Sequence, residues 1–402
     1  MSVAISPQSY TTLWDTIVAV DLANLNQSKG QLQSAADSAA LAAAREMRLG
    51  NVQAATIDQV ARNYVNSLVY SSTRLANATT TTAVSSDFQN VTVKISASAN
   101  TIFANQLGLI SSTVSASARA SVKGGAPLCM LTLARQTLLK FGLNVGANSN
   151  ISAPGCSLYS NEENPTGLIA DVSARVSAAS VCSAGGLKGN SLSFSSAPQL
   201  DCPALPDPLI SRPAPSSATA CDYSWRIIDG QVTTLNPGVY CGGLILRNNA
   251  VVTLNPGVYV IKTGALIVTN GATLKGADVG FYFTGMGAFM QFQATSTIDL
   301  SAPRTGPMAG ILLWESNDVP VGLHIIASTQ ARNLLGTIYL PKSLLEISSP
   351  NPVADQSAYT IVVAGVISVR NSSLVLNTNY GATDVPVPSG VGRTAGNVVL
   401  DR

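Results

Sequence analysis

The sequence predicts a mainly β protein with an α-helical N-terminus, whose C-terminal domain is a right-handed parallel β-helix. The first observation behind this fold class is the phrase Leu-Asn-Pro-Gly-Val-Tyr, which occurs at 235–240 and again at 254–259, an offset of 19 residues (254 − 235). That offset suits one turn of a β-solenoid and is too short for a propeller blade or a helical repeat. The Asn-Pro-Gly step supplies a turn, and its β-branched and aromatic neighbours favour strands.

The second observation is an alanine-rich N-terminal region, residues 1–85, which is predicted to be helical because alanine is the best helix former. One helix face carries recurring apolar residues: Leu25, Leu32, Ala36, Ala39 and Ala43. Gly50 and Asn51 are predicted to end this helix, and a second helix is expected over 57–70. The pair is interpreted either as a packed αα-hairpin or as a helix that binds a partner.

The third observation is a change of apolar period from helical spacing to alternation after residue 85. Val91, Val93 and Ile95 alternate with polar residues, so 86–124 is predicted to be a small β region packed on the helices. The glycine pair at 124–125 marks a boundary. The remaining residues, 125–402, are assigned to the β-helix domain and include a last short strand near their end.

Six cysteines are predicted to form disulfides, because their number is even, their spacing is wide and no Cys-x-x-Cys motif occurs. Spacing leaves the connectivity open, and neighbours in sequence are preferred. The preferred pairs are Cys129 with Cys156, Cys182 with Cys202, and Cys221 with Cys241. A proline-rich stretch around 198–215 is expected to be a loop on the outside of the domain, held by these disulfides. Buried free thiols in a cytosolic protein are the alternative.

Composition excludes several classes of function. Charged residues make up 11% of the chain and the net charge is +2, which argues against a nucleic-acid-binding face. His324 is the single histidine, so sites that need several histidine ligands are excluded. The sequence therefore predicts no metal and no cofactor.

The first helix carries a motif that resembles the N-terminal signature of TadE/TadG-like proteins of bacterial tight-adherence (Flp-type) pilus systems. The residues that match this signature are Asp21, Leu32, Gln33, Ala35, Ala36, Asp37, Ala39, Ala40 and Leu41. Later motifs at 127–129, 153–156, 237–243 and 336–341 resemble larger TadG-like members. The resemblance implies a protein of the cell envelope, periplasmic or extracellular, with the pilus assembly machinery or pilin as its partner.

The chain departs from that family where a membrane anchor is expected. In the family an apolar segment precedes the position of Asp21, whereas here 9–16 are mainly polar and no basic flank is present. The resemblance therefore implies an anchor that is not visible in these residues, and a truncated or re-started N-terminus would explain the difference.

The main alternative is a secreted β-helix polysaccharide lyase or hydrolase, which requires clustered acidic residues. Glu315 and Asp318 are close in sequence and His324 follows, so these three are the candidate catalytic residues of that alternative. A solvated turn at 315–318 is the preferred interpretation. A trimeric fibre module is a third possibility.

The sequence thus predicts a non-enzymatic envelope or surface component of a Flp-type pilus system that supports pilus assembly. Adhesion to host or surface glycans is a further hypothesis for the C-terminal domain.

Overall fold

The structure is a computed structural model of the 402-residue chain. The residues that it describes are 7–47, 54–69, 75–85, 90–99, 101, 112–123, 126–133, 139–216, 220–392 and 397–401. The chain divides into two compact units. Unit 1 comprises Met1–Gly124 with Ala395–Arg402, and unit 2 comprises Gly125–Thr394. The described chain is mainly β with two α-helices near the N-terminus.

The two helices of unit 1 are α1, Pro7–Met47, and α2, Ala54–Val69. Alanines cluster in the last third of α1, at 35–44, where they favour the helix because alanine loses little entropy in it. The predicted helix end at Gly50 and Asn51 lies outside the described residues. The buried residues of α2 recur every four positions, and they are Ile57, Ala61, Val65 and Val69.

Unit 1 also contains an antiparallel sheet whose strands, numbered in chain order, pair as β1–β2–β3–β25. Their bounds are Leu75–Val84 for β1, Asn90–Ala99 for β2, Ser112–Lys123 for β3 and Asn397–Asp401 for β25. β1 therefore occupies part of the region 1–85 that was predicted to be helical. β25 joins unit 1, whereas the prediction placed it in the domain 125–402.

The core of unit 1 follows the alternating pattern of its second strand. Val91, Val93 and Ile95 are buried, and they belong to the same hydrophobic cluster as the alanines of α1 and the apolar face of α2. Small side chains on α1 allow the helix backbone to approach the sheet closely, so apolar area is buried with few large residues.

Unit 2 contains the other 21 described strands, joined in one sheet whose ladder pairings are parallel. The strands before the proline-rich stretch are β4 Leu128–Thr132, β5 Leu143–Val145, β6 Asn150–Ser160, β7 Leu168–Ala170, β8 Arg175–Ser183 and β9 Leu187–Gly189. The next strands are β10 Tyr223–Asp229, β11 Val232–Leu235, β12 Gly238–Arg247, β13 Val251–Leu254, β14 Gly257–Lys262, β15 Leu266–Val268, β16 Thr273–Gly276 and β17 Val279–Thr284. The last are β18 Met290–Phe292, β19 Thr297–Ser301, β20 Ile311–Glu315, β21 Leu323–Ile326, β22 Gln330–Ile347, β23 Thr360–Val369 and β24 Ser373–Val375.

The predicted right-handed parallel β-helix is wrong. Eight parallel strands pair in a closed ring, in the order β12–β15–β18–β21–β22–β20–β17–β14 and back to β12, and the other strands are additional to it. The ring closes because the long strands β12 and β22 each pair with two other strands of the ring along different parts of their length. The two copies of the repeated phrase do begin on partner strands, since β11 pairs with β13 and Leu235 lies opposite Leu254. The repeat does not indicate that the strands around it pair in a closed ring.

The order of strands in unit 2 also differs from chain order. β23 pairs with β4 and β5, and β24 pairs with β6, so the strands of 128–189 extend the sheet beyond its C-terminal strands. β10 and β11 form one margin of the sheet, where their ladder partners are β12 and β13. β8 and β9 form the opposite margin.

Three disulfides link segments of unit 2: Cys129–Cys156, Cys182–Cys202 and Cys221–Cys241. They are the pairs that the sequence analysis preferred, and they fit the prediction of an oxidised protein. The first joins β4 to β6, and the second holds the proline-rich stretch against β8. The third joins the residues before β10 to β12.

Candidate functional site

The apolar residues of the TadE/TadG-like signature pack inside unit 1. Leu32, Ala35, Ala36, Ala39 and Ala40 are all buried in the cluster that α1 forms with α2 and the sheet. The signature pattern is therefore the amphipathic pattern of a helix whose small face lies on a sheet.

One polar signature residue, Gln33, links α1 to the sheet. The Gln33 side-chain amide donates hydrogen bonds to the Asp37 carboxylate at 2.8 Å and to the Ser117 carbonyl of β3 at 3.2 Å. Asp21 is buried and Leu41 is half-buried. The bond to Ser117 links the helix to β3, whereas the bond to Asp37 is an i,i+4 interaction within α1.

The residues on either side of Asp21 differ from the buried part of α1. Val20 and Leu22 are 38% and 56% exposed, respectively. Positions i and i+2 do not share a helix face, so the two side chains are exposed on different sides of α1. The described part of α1 thus combines a packed C-terminal portion with two separate exposed apolar residues.

Glu315 and His324, two of the three candidate catalytic residues, lie together inside unit 2. Both side chains are 0% exposed, and Nε2 of His324 lies 3.5 Å from Oε1 of Glu315. The Ser343 hydroxyl donates to Oε1, and the backbone N–H groups of Lys342 and Ser343 donate to Oε2 at 3.1 and 3.2 Å. The Met290 N–H donates to Nδ1 of His324 at 3.2 Å, which places the imidazole proton on Nε2, facing the carboxylate.

Asp318 makes a separate set of contacts. Its carboxylate accepts hydrogen bonds from the Thr284 hydroxyl at 2.8 Å and from the Gly285 N–H at 3.2 Å. Burial raises the pKa of Asp318, but hydrogen bonds from Ser316, Thr284 and Gly285 outweigh burial and hold it below its ordinary value. Asp318 is exposed and lies on a turn. The preferred interpretation, a solvated turn over 315–318, is wrong for Glu315, because that residue ends β20 and its side chain is buried.

The carboxylate of Glu315 is buried and hydrogen-bonded within unit 2, so it is not exposed to a polymeric substrate. General acid and base residues must reach the substrate within hydrogen-bond distance, whereas Glu315 and His324 have no solvent-accessible surface. Among the described residues no cluster of His, Cys, Asp and Glu has the composition and geometry to hold a metal ion.

The repeated phrase builds a ladder of side chains. The Asn255 amide donates to the Asn236 side-chain oxygen at 2.7 Å. The Tyr240 hydroxyl lies 2.7 Å from the Asn236 carbonyl, and the Tyr259 hydroxyl lies 2.8 Å from the Asn255 carbonyl and 2.9 Å from the Leu235 carbonyl. Burial raises the pKa of both tyrosines, so the hydroxyls remain donors. The phrase is a structural element of the parallel sheet.

The margin formed by β10 and β11 exposes large apolar side chains that the sequence analysis did not single out. Trp225 is 77% exposed, Ile227 50% and Val232 83%. The signal available in the sequence was the glycine pair after Cys241, because glycine has no Cβ and so allows another group to approach the backbone closely. Recognising that this group is Trp225 required the pairing of β10 with β12.

The fold and these sites define a two-unit, mainly β protein with three disulfides and a packed helix near its N-terminus. Residues 16–46 match the family model of Flp pilus-assembly TadE/G-like proteins, so this segment is TadE/TadG-like, as the signature predicted. No curated protein and no solved structure matches the chain. Within the described residues, neither helix combines the length and apolar character needed to cross a membrane.

Proposed function

We propose that the protein is a non-enzymatic component of a Flp-type pilus system, that it acts in the cell envelope, and that it supports pilus assembly. The observation that carries the proposal is the TadE/G-like match at 16–46. Much of the matched segment contributes to the core of unit 1, so it is an integral part of a folded unit. The three disulfides support a location outside the reducing cytosol, in the periplasm or at the cell surface.

The proposed partner is the pilus assembly machinery or the pilin itself. The exposed Leu22 offers the most direct contact on the TadE/G-like helix, because it is more exposed than Val20 and the apolar signature residues from Leu32 to Ala40 are buried. Apolar anchors of this kind carry much of the binding energy of an interface.

The experiment is deletion of the gene in the bacterium that encodes it, followed by complementation with the full chain or a variant. Deletion should abolish surface pili, and the full chain should restore them. Leu22→Asp should reduce piliation by roughly tenfold, because loss of an apolar anchor costs about one to two kcal/mol of binding. The matched control is Leu192→Asp, an 84% exposed residue of unit 2, which should restore pili fully. Normal piliation after deletion would refute the proposal.

The non-enzymatic part of the proposal has its own test. Purified protein should release no new reducing ends from uronate polymers or bacterial glycans. Turnover that disappears in Glu315→Gln, or in Asp318→Ala with its fold intact, would replace the proposal with the hydrolase or lyase alternative.

Adhesion is the second part of the proposal and concerns unit 2. An exposed strand margin with large apolar side chains supports it, since such patches on monomers commonly serve as contact sites. Cells whose protein lacks the exposed apolar side chains of β10 and β11, Trp225, Ile227 and Val232, should remain piliated but should attach less to surfaces.

A further inference from the structure

Trp225 is an exposed aromatic residue in an unusual backbone conformation. It lies on β10 where the register with β12 shifts between Ser224 and Arg226, and its φ is +51°. Bulky residues rarely adopt positive φ. The extra residue of this bulge lies in β12, where Gly242 and Gly243 face the single residue Trp225. Bulges are frequent next to functional sites.

One face of the Trp225 indole is supported by the backbone of Gly242. A Cβ atom added at Gly242 would lie 2.6 Å from Cδ2 and 2.7 Å from Cε2 of Trp225. Gly242 itself has φ +77°. Glycine is therefore required at this position on two grounds, its backbone conformation and the close approach of the ring.

A disulfide constrains the backbone next to Trp225 and Gly242. The disulfide Cys221–Cys241 lies directly before Gly242 in sequence and joins the start of the β10 segment to β12. Gly242 thus lies against the indole, and the disulfide fixes the two backbone segments that carry Trp225 and Gly242 relative to each other. Rigid aromatic side chains bind with a low entropic cost because few rotamers are lost.

The chemistry around this platform favours a sugar ring as the ligand. A pyranose presents C–H groups on its face, which suit an indole, and hydroxyls at its edge, which need polar partners. Ser224 and Arg226 flank Trp225 and are exposed, and so is Asp222. A quaternary ammonium ligand is disfavoured, because none of the ring pairs among the described residues includes Trp225, and such ligands are bound by several rings together.

We propose that Trp225, supported by Gly242, binds a pyranose ring of a polysaccharide by stacking. This inference deepens the adhesive part of the proposed function and rests on the surface location proposed there. A protein partner that uses Trp225 as an apolar anchor is the competing outcome of the test.

The test titrates purified full-length protein with cellohexaose, chitohexaose and a galacturonate hexamer, with intrinsic fluorescence and calorimetry as readouts. At least one oligosaccharide should bind, and Trp225→Ala should weaken that binding by about tenfold or more. Trp225→Phe should retain part of the affinity because a ring remains. Gly242→Ala should also weaken binding because its Cβ displaces the indole.

Leu192→Ala is the control, since Leu192 is similarly exposed on the same unit without a glycine support. Binding that is unchanged in folded Trp225→Ala, or no binding to any of the three oligosaccharides, overturns the inference. Capture of a protein that depends on Trp225, without sugar binding, also overturns it. Cells that carry Trp225→Ala should form normal pili, so loss of sugar binding and loss of pilus assembly are distinguishable.

Discussion

The two margins, or edges, of the parallel sheet of unit 2 differ in whether another segment of the chain covers them. At the margin of β8, residues 194–202 follow the strand: Phe194 bridges Val176, Gln199 bridges Cys182, and a disulfide joins Cys182 to Cys202. At the margin of β10 and β11, Trp225 and Val232 are exposed, and no further strand of the described chain lies beyond. Exposed sheet edges invite association, so an edge left open in a chain that covers the opposite one is a candidate for binding.

The largest expected effect is a difference in unfolding free energy between substitutions of two aromatic residues, one at each margin. Phe194 is 7% exposed and Trp225 is 77% exposed. Phe194→Ala should lower the free energy of unfolding by about 3–5 kcal/mol, because a cavity forms under the covering segment. Trp225→Ala should change it by no more than about 0.5 kcal/mol. Chemical denaturation of both variants measures the difference, and equal losses would mean that the margins do not differ as described.

The two margin disulfides sharpen the comparison, since each closes a sequence separation of 20 residues. Loss of either one, by replacing both cysteines with serine, should cost about 3 kcal/mol through the entropy of the unfolded chain. Amide exchange should then separate them. Removal of Cys182–Cys202 should accelerate exchange in 194–202, and removal of Cys221–Cys241 should leave that segment protected. Faster exchange of 194–202 in both variants would contradict the assignment of the first disulfide to the cover.

The two copies of the repeated phrase lie at different distances from the open margin: Tyr240 is on β12, which pairs with β10, and Tyr259 is on the next strand, β14. The Tyr259 hydroxyl contacts two carbonyls, whereas the Tyr240 hydroxyl contacts one. Tyr259→Phe should therefore cost about 1–1.5 kcal/mol and Tyr240→Phe about 0.5–1 kcal/mol. Thermal unfolding of the pair tests this order, and a larger loss for Tyr240→Phe would show that the ladder is stronger at the margin.

The smallest expected effect is the pH dependence of stability that arises from the ion pair Arg332–Asp355, away from both margins. Arg332 Nε lies 2.8 Å from Asp355 Oδ1, and its guanidinium holds the pKa of Asp355 below the ordinary value of 3.8. Because the folded-state pKa is lower than the unfolded one, the stabilisation is present above pH 3.8 and is lost as the pH falls through the folded-state pKa.

Asp355→Asn should remove this part of the acid dependence at a cost of about 1 kcal/mol at neutral pH. Urea unfolding at pH 7 and at lower pH provides the comparison. The ion pair Arg247–Asp229 near the open margin supplies a control, since Asp229→Asn should leave the Asp355 titration intact.

Local patterns predicted much of unit 1 because its signals are short-range. The spacing of Leu32, Ala36, Ala39 and Ala43 identified the buried face of α1, and the alternation of Val91, Val93 and Ile95 identified a half-buried strand. β1 was missed because its run of threonines carries little apolar alternation. The membership of β25 in unit 1 could not be predicted, because its partner β3 lies more than half the chain away.

The candidate site shows the same limit. Glu315 and His324 were grouped because they are close in sequence, and the structure brings them together, yet their complete burial depends on packing among strands of the closed ring. Asp318, equally close in sequence, lies on an exposed turn. Trp225 was passed over because its support, Gly242, reaches it only through the pairing of β10 with β12.

By itself, the sequence determined the helix face of α1, its TadE/TadG-like signature, the positions of turns and strands around the repeated phrase, and the cysteines available for disulfides. These are properties of residues within a few positions of one another, where propensity and periodicity act. Only the tertiary structure decided the closed ring, the order in which 128–189 extends the sheet, and which margin is covered. Those features depend on pairing between distant strands, and parallel strands of similar composition offer many partners whose energies differ only through packing.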